Sequence, residues 1–157
     1  MNGKELYDTC LNQENTLVFH HFTRDDALKL GLSLHHRNAD YGTEAAIEIT
    51  INGLVVFRYF PEGTSADNGL WLARKRRTVE LMEMSSLRFL GWLEMNGETL
   101  EDRKLDPGDY AAGGGGFPIR VAGTGVIGSI CVSGMPHELD HKLIADTIAV
   151  YLKLEED

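Results

Sequence analysis

The sequence predicts an α+β domain, an antiparallel sheet with helices packed on it. Three observations carry this. From Ala45 to Phe60, Ile47, Ile49 and Ile51 alternate with Glu48 and Thr50, and the run then turns on Asn52-Gly53. From Gly113 to Gly134, two apolar runs flank Gly123-Thr124-Gly125. Elsewhere the apolar residues recur at intervals of three and four, the helical period. Two hairpins separated by helices differ from the strict strand–helix alternation of a parallel sheet.

Each element follows in chain order. Leu6, Cys10 and Leu11 predict a short helix over residues 3–13. Leu17 to Phe22 is a brief β-prone run. Thr23-Arg24-Asp25-Asp26 has the form of a capping box, with a hydroxyl and an acid three residues apart. Ala27, Leu28, Leu30, Gly31, Leu34 and His35 continue that helix to about Asn38. Asn52 and Gly53 both tolerate positive φ, which a two-residue hairpin turn demands. Residues 61–69 read as a polar, turn-rich loop. From Leu70 to about Leu93 the period is helical again, with Ser85-Ser86 as a break. Residues 96–110 form a polar loop with at most one short turn.

In the second hairpin, Ile119, Val121, Val126, Ile130 and Val132 show little polar alternation, as a sheet covered on both faces requires. Pro136 then leads into a last amphipathic helix carrying Leu139, Leu143, Ile144, Ile148, Tyr151 and Leu152 on its inner side.

At 157 residues the chain suits one domain spanning 1–157. Its net charge of -9 argues against nucleic acid, whose phosphates need an excess of Lys and Arg. No apolar run nears the roughly 20 residues of a membrane span, so no membrane partner is expected. Cys10 and Cys131 are too few for a disulfide framework. Reduced thiols and the absence of a signal-peptide pattern predict a cytoplasmic protein.

Several spellings invite chemistry. Gly123 to Gly128 spells GxGxxG, but a dinucleotide site needs those glycines between a strand and a helix. Here a strand follows, so a turn is expected. His137-Glu138-Leu139-Asp140-His141 spells HExxH, the pattern of zinc proteases. It falls on the first turn of the final helix, where Glu138 and Asp140 also complement the helix dipole. Arg74-Lys75-Arg76-Arg77 is either a solvated helix surface or an anion clamp. Trp71, three residues earlier, is placed to stack a flat ligand on the same face. His20-His21 and His35-His36 complete the histidines. No Ser/His/Asp or Cys/His arrangement offers a nucleophile, so no catalytic residue is assigned.

Gly114-Gly115-Gly116-Phe117-Pro118-Ile119, Gly125-Val126-Ile127-Gly128 and Val132-Ser133-Gly134 together resemble the haem-degrading-domain family that includes GlcG and HbpS. Pro61 with Gly63 to Asn68, Trp71-x-x-Arg74-Lys75, Lys104 to Pro107 and Tyr110-Ala111-Ala112 resemble an uncharacterised bacterial and fungal branch of it. The resemblance implies a profilin-like, three-layer α-β-α fold around a five-stranded antiparallel sheet. It implies a homo-oligomer, octamer or decamer, and relatives that bind haem or iron. The histidine pairs fall outside the shared motifs.

A small-ligand site is therefore expected where the glycine-rich backbone meets the Trp71 helix, at Trp71, Arg74, Lys75, Gly114, Gly115, Phe117 and Pro118. The ligand expected beside Arg74 is small and acidic, with haem or iron as the family's cofactors. An oligomeric ring that binds protein partners is the second expectation. A metal-dependent hydrolase built on His137, Glu138 and His141 is the third.

Overall fold

The computed structural model describes the backbone of residues 1–156 and the side chains of residues 1–153. The elements are α1 (Gly3–Thr16), α2 (Arg24–Asn38), β1 (Ala46–Ile51), β2 (Leu54–Tyr59), α3 (Ala66–Met82), α4 (Ser86–Asn96), β3 (Gly116–Val121), β4 (Gly125–Ser133) and α5 (His137–Glu156). A single 3-10 turn, Glu101–Arg103, interrupts the loop before β3.

The strands form one antiparallel sheet in the order β2-β1-β4-β3. Both hairpins turn where the sequence predicts. Asn52 (φ 48°) and Gly53 (φ 82°) close the first, and Gly123-Thr124 closes the second. β4 begins at Gly125, so the GxGxxG spelling lies in a hairpin and opens no helix.

The sheet has four strands among the described residues, and the expected fifth is a correction. The run 17–22 contributes a single parallel bridge, between Phe19 and Val121. Phe19 donates its N–H to the Arg120 carbonyl and accepts from Ala122 N–H, both at 2.8 Å. The reason is side-chain parity. Phe19 and Phe22 are both buried, with ring centroids 4.7 Å apart. Residues three apart point to opposite faces of a strand, so the backbone leaves the strand path to bury both. Thr23 then caps α2, accepting Asp26 N–H at 3.1 Å.

Helices cover both faces of the sheet. On one face Ile47, Ile49, Phe117, Ile119, Ile130 and Val132 pack against Leu30 and Leu34 of α2 and Leu143, Ile144 and Ile148 of α5. On the other face Ala46 and Cys131 meet Leu72 of α3. α1 is tied to α4 by Arg88, which donates to Glu14 at 3.1 Å and to the Tyr7 hydroxyl at 2.9 Å.

α3 starts four residues before the predicted Leu70. Asp67 and Asn68 read as loop, yet Asn68 Oδ1 accepts the Ser65 N–H at 2.9 Å and polar residues suit a helix start. The break near Ser85 is present: Glu83 ends α3 in the left-handed region (φ 53°), and Ser85 Oγ accepts Arg88 N–H at 3.1 Å to start α4. No helix among the described residues is long and apolar enough to cross a membrane.

Candidate ligand-binding site

A cavity of about 420 Å³ opens between α3, the loop 111–114, the end of β4 and the start of α5. That volume lies in the range of small-molecule sites. Lys75 and Asp140 are its buried charged members, with side chains only 6% and 2% exposed. Lys75 Nζ donates to Asp140 Oδ2 at 3.2 Å and to the Val132 carbonyl at 2.8 Å. Asp140 Oδ1 accepts the Met135 N–H at 3.1 Å, so the same carboxylate also serves the start of α5. Burial pushes the Asp140 carboxyl above its ordinary range, while the Lys75 ammonium and the Met135 N–H pull it down. A buried pair of this kind is costly to break, because either partner alone is an uncompensated charge.

The glycine run makes this pair possible. Gly115 has φ 119°, where L side chains are strained, and a Cβ there would sit 2.5 Å from Lys75 Nζ and 2.5 Å from the Val132 carbonyl oxygen. Gly114 N–H donates to His137 Nδ1 at 2.9 Å, and a Cβ on Gly114 would overlap the His137 carbonyl. Gly116 N–H donates to Ser86 Oγ at 2.9 Å. The bare backbone thus docks α3, α4 and α5 onto the hairpin, and its Gly114 and Gly116 amides are already committed.

Trp71 stands at the rim, 41% exposed. The Arg74 guanidinium carbon lies 4.6 Å from its ring centroid, held there by a 3.1 Å bond to the Gly108 carbonyl. Asn68 Nδ2 reaches across to the Ser133 carbonyl at 3.2 Å.

Of the seven site residues expected from sequence, Trp71, Lys75 and Gly114 line the cavity and Gly115 lies directly behind it. Arg74 stacks on Trp71 but is not in the wall. Phe117 is fully buried on the opposite face of the sheet, its ring 5.6 Å from that of His141. Pro118 is buried in β3 opposite Ser129. The basic run disperses around α3. Arg76 pairs with Glu48 at 3.3 Å, and Arg77 donates to the Asp109 carbonyl at 3.3 Å. Asp140 and Asn68 are not among the expected site residues, and His137 is expected only in the hydrolase reading. The only sequence signal for Asp140 was an acid in the first turn of the last helix.

The HExxH histidines go different ways. His137 accepts from Gly114, and its Nε2 is 3.0 Å from the Glu138 carboxylate. His141 is buried, with Nε2 2.7 Å from Gln13 Oε1, which makes Nε2 the protonated nitrogen. Among the described residues no three or more His, Cys, Asp or Glu are grouped to hold a metal ion. His20 and His21 are exposed, and His35 packs edge-on against Tyr59 at 4.8 Å. Burial pushes the Cys10 and Cys131 thiols up to about 11 and about 12, leaving them protonated.

Three other hollows are larger, the smallest of about 440 Å³ beside Thr43, Glu62 and Asn68. One of about 800 Å³ runs between Thr16–Val18 and the outer end of α5, and its histidines, His20 and His21, are exposed. One of about 590 Å³ lies between α1, α4 and α5 and shares His137 with the first cavity. None of the three is lined by a buried ion pair.

A four-stranded antiparallel sheet covered by helices, with a glycine-lined cavity at the start of its last helix, defines a small α/β domain. That fold recurs in solved structures. The Ybr137w protein superposes with a TM-score of 0.87 at 23% identity, over 96% of this chain and 90% of that one. HbpS superposes at 0.67 with 22% identity, over 84% and 90%. PduOC, solved as a haem complex, superposes at 0.67 with 20% identity, over 82% and 93%. The model of the haem-degrading HbpS-like proteins matches residues 22–149, and the chain belongs to that family. Within it, the UPF0303 protein YE1367 of Yersinia enterocolitica is 38% identical over 155 residues, 98% of this chain and 92% of the relative. The UPF0303 protein SCO2848 of Streptomyces coelicolor is 40% identical over 141 residues, 89% of each.

Proposed function

We propose that this protein is a ligand-binding module without turnover, acting as a homo-oligomer in the cytoplasm, and that the cavity beneath Trp71 takes a flat small molecule. The observation that carries this is a buried lysine–aspartate pair exposed to a cavity whose rim is an accessible indole. Charged groups are rarely buried without a role, and aromatic rims suit planar ligands. An acidic group on such a ligand meets Arg74 at the rim.

Haem is the first ligand to test, since PduOC is solved with it. The described lining supplies no free imidazole nitrogen for the iron: the Gly114 N–H fixes His137 Nδ1 as the acceptor, which leaves the proton on Nε2, 3.0 Å from the Glu138 carboxylate. Bound haem would rest against Trp71 and would supply redox chemistry. A bare iron ion lacks a protein donor cluster among the described residues.

Assembly is supported by a second observation. Leu28 (50% exposed) and Leu32 (45%) repeat along α2, and Tyr59 (44%) and Leu54 (50%) stand on the adjacent β2 at the sheet edge. Such a face is an association surface. An octamer or decamer would elute on a sizing column at the matching multiple of 17.5 kDa.

The binding test is a haem titration read by the Soret band. A shift at micromolar haem that weakens at least tenfold in Trp71→Ala is expected. Equal affinity in Trp71→Ala would move the site elsewhere, and no shift would remove haem as the ligand.

A further inference from the structure

Taking the cavity as the binding site, we propose that its occupant meets the Lys75 floor with an uncharged hydrogen-bond acceptor, a carbonyl or amide oxygen on a flat ring. Carboxylates and phosphates are excluded from that position.

A lysine ammonium carries three N–H donors. Val132 O and Asp140 Oδ2 take two of them. The third has no acceptor among the described residues, on a side chain only 6% exposed that lines the cavity. A buried donor on a cavity wall is costly until something accepts from it.

The charge count then selects the acceptor. Two features here would ordinarily draw an anion: the ammonium and the start of α5. Asp140 already answers both, with Oδ2 on Lys75 and Oδ1 on the Met135 N–H. The pair is neutral whichever partner holds the shared proton. Asp67, on the first turn of α3, adds a second carboxylate to the lining. The Gly114 amide is spent on His137 Nδ1. A ligand anion at the floor would lose its hydration and find no uncommitted cation. A neutral oxygen accepts the spare N–H and leaves the balance unchanged, while its ring lies under Trp71.

Nicotinamide and nicotinate share a ring and differ in charge, so they separate these cases. Binding is followed by the Trp71 indole N–H signal in ¹H–¹⁵N spectra, using Arg74→Ala protein to remove the rim cation. Nicotinamide is expected to bind at least tenfold more tightly than nicotinate. Asp140→Asn keeps an acceptor for Met135 but uncovers the ammonium, and is expected to invert the order. Should Asp140→Asn not fold, the preference in the Arg74→Ala protein decides by itself. Nicotinate binding as tightly as nicotinamide overturns the ligand class while leaving the cavity a binding site. Neither probe moving the indole signal overturns both.

Discussion

Two histidines four residues apart on α5 meet different surroundings. His137 faces solvent and the glycine loop, whereas His141 is enclosed beside Phe117 and Gln13. Burial pushes the His141 imidazole down to about 4, against an upward pull from the Asp146 carboxylate. Its Nδ1 has no partner among the described residues. Between about 6.5 and about 4 the unfolded chain binds a proton here that the folded chain refuses. Stability from this group is full above its ordinary value and is lost as pH falls through that window. The shift corresponds to about 3 kcal/mol. Asp140 and Glu14 act oppositely: burial raises both, so their contribution declines as pH rises above the ordinary carboxylate range. Comparing with His141→Gln isolates the histidine. Urea unfolding is expected to show wild type losing about 3 kcal/mol relative to His141→Gln between pH 7 and pH 4. Parallel curves would contradict this.

At the scale of elements, the glycine run is a docking device. Gly115→Ala would place a Cβ against Lys75 Nζ and the β4 backbone at a φ that strains it. A loss of about 3 kcal/mol is expected in thermal or urea unfolding, from backbone strain and a disturbed buried pair. Unchanged stability would show that the loop relaxes without cost. Turn chemistry made both hairpins legible in the sequence, because Asn52-Gly53 and Gly123-Thr124-Gly125 act locally. The fifth strand is not legible in the sequence, because β-propensity at 17–22 says nothing of where Phe19 and Phe22 must both point. The cavity was half legible. Trp71 and the glycines signalled it by type and spacing, but Lys75 and Asp140 are 65 residues apart, and their pairing leaves no periodic trace. Four consecutive cations hide the fact that Lys75 alone of the four is buried, while Arg76 reaches the buried Glu48.

At the scale of the molecule, the two sides of the sheet divide the labour. The α2–α5 side holds the large apolar core, including Phe117, Ile130 and Val132. The α3 side has small or polar strand residues, Ser129, Cys131 and Ser133, and buries charge instead: Glu48 takes Arg58 and Arg76, and Asp140 takes Lys75. A cavity can open at the end of that second layer without emptying the main core. The α2–β2 edge, farthest from β3 in the sheet order, carries the exposed Leu28, Leu32, Leu54 and Tyr59. The most direct measurement is an experimental density map of the protein purified from its own cell. Planar ligand density under Trp71, with an atom in hydrogen-bond reach of Lys75 Nζ, is the expected result. Ligand density confined to the hollow between α1, α4 and α5, or to the groove beside His20 and His21, would contradict it.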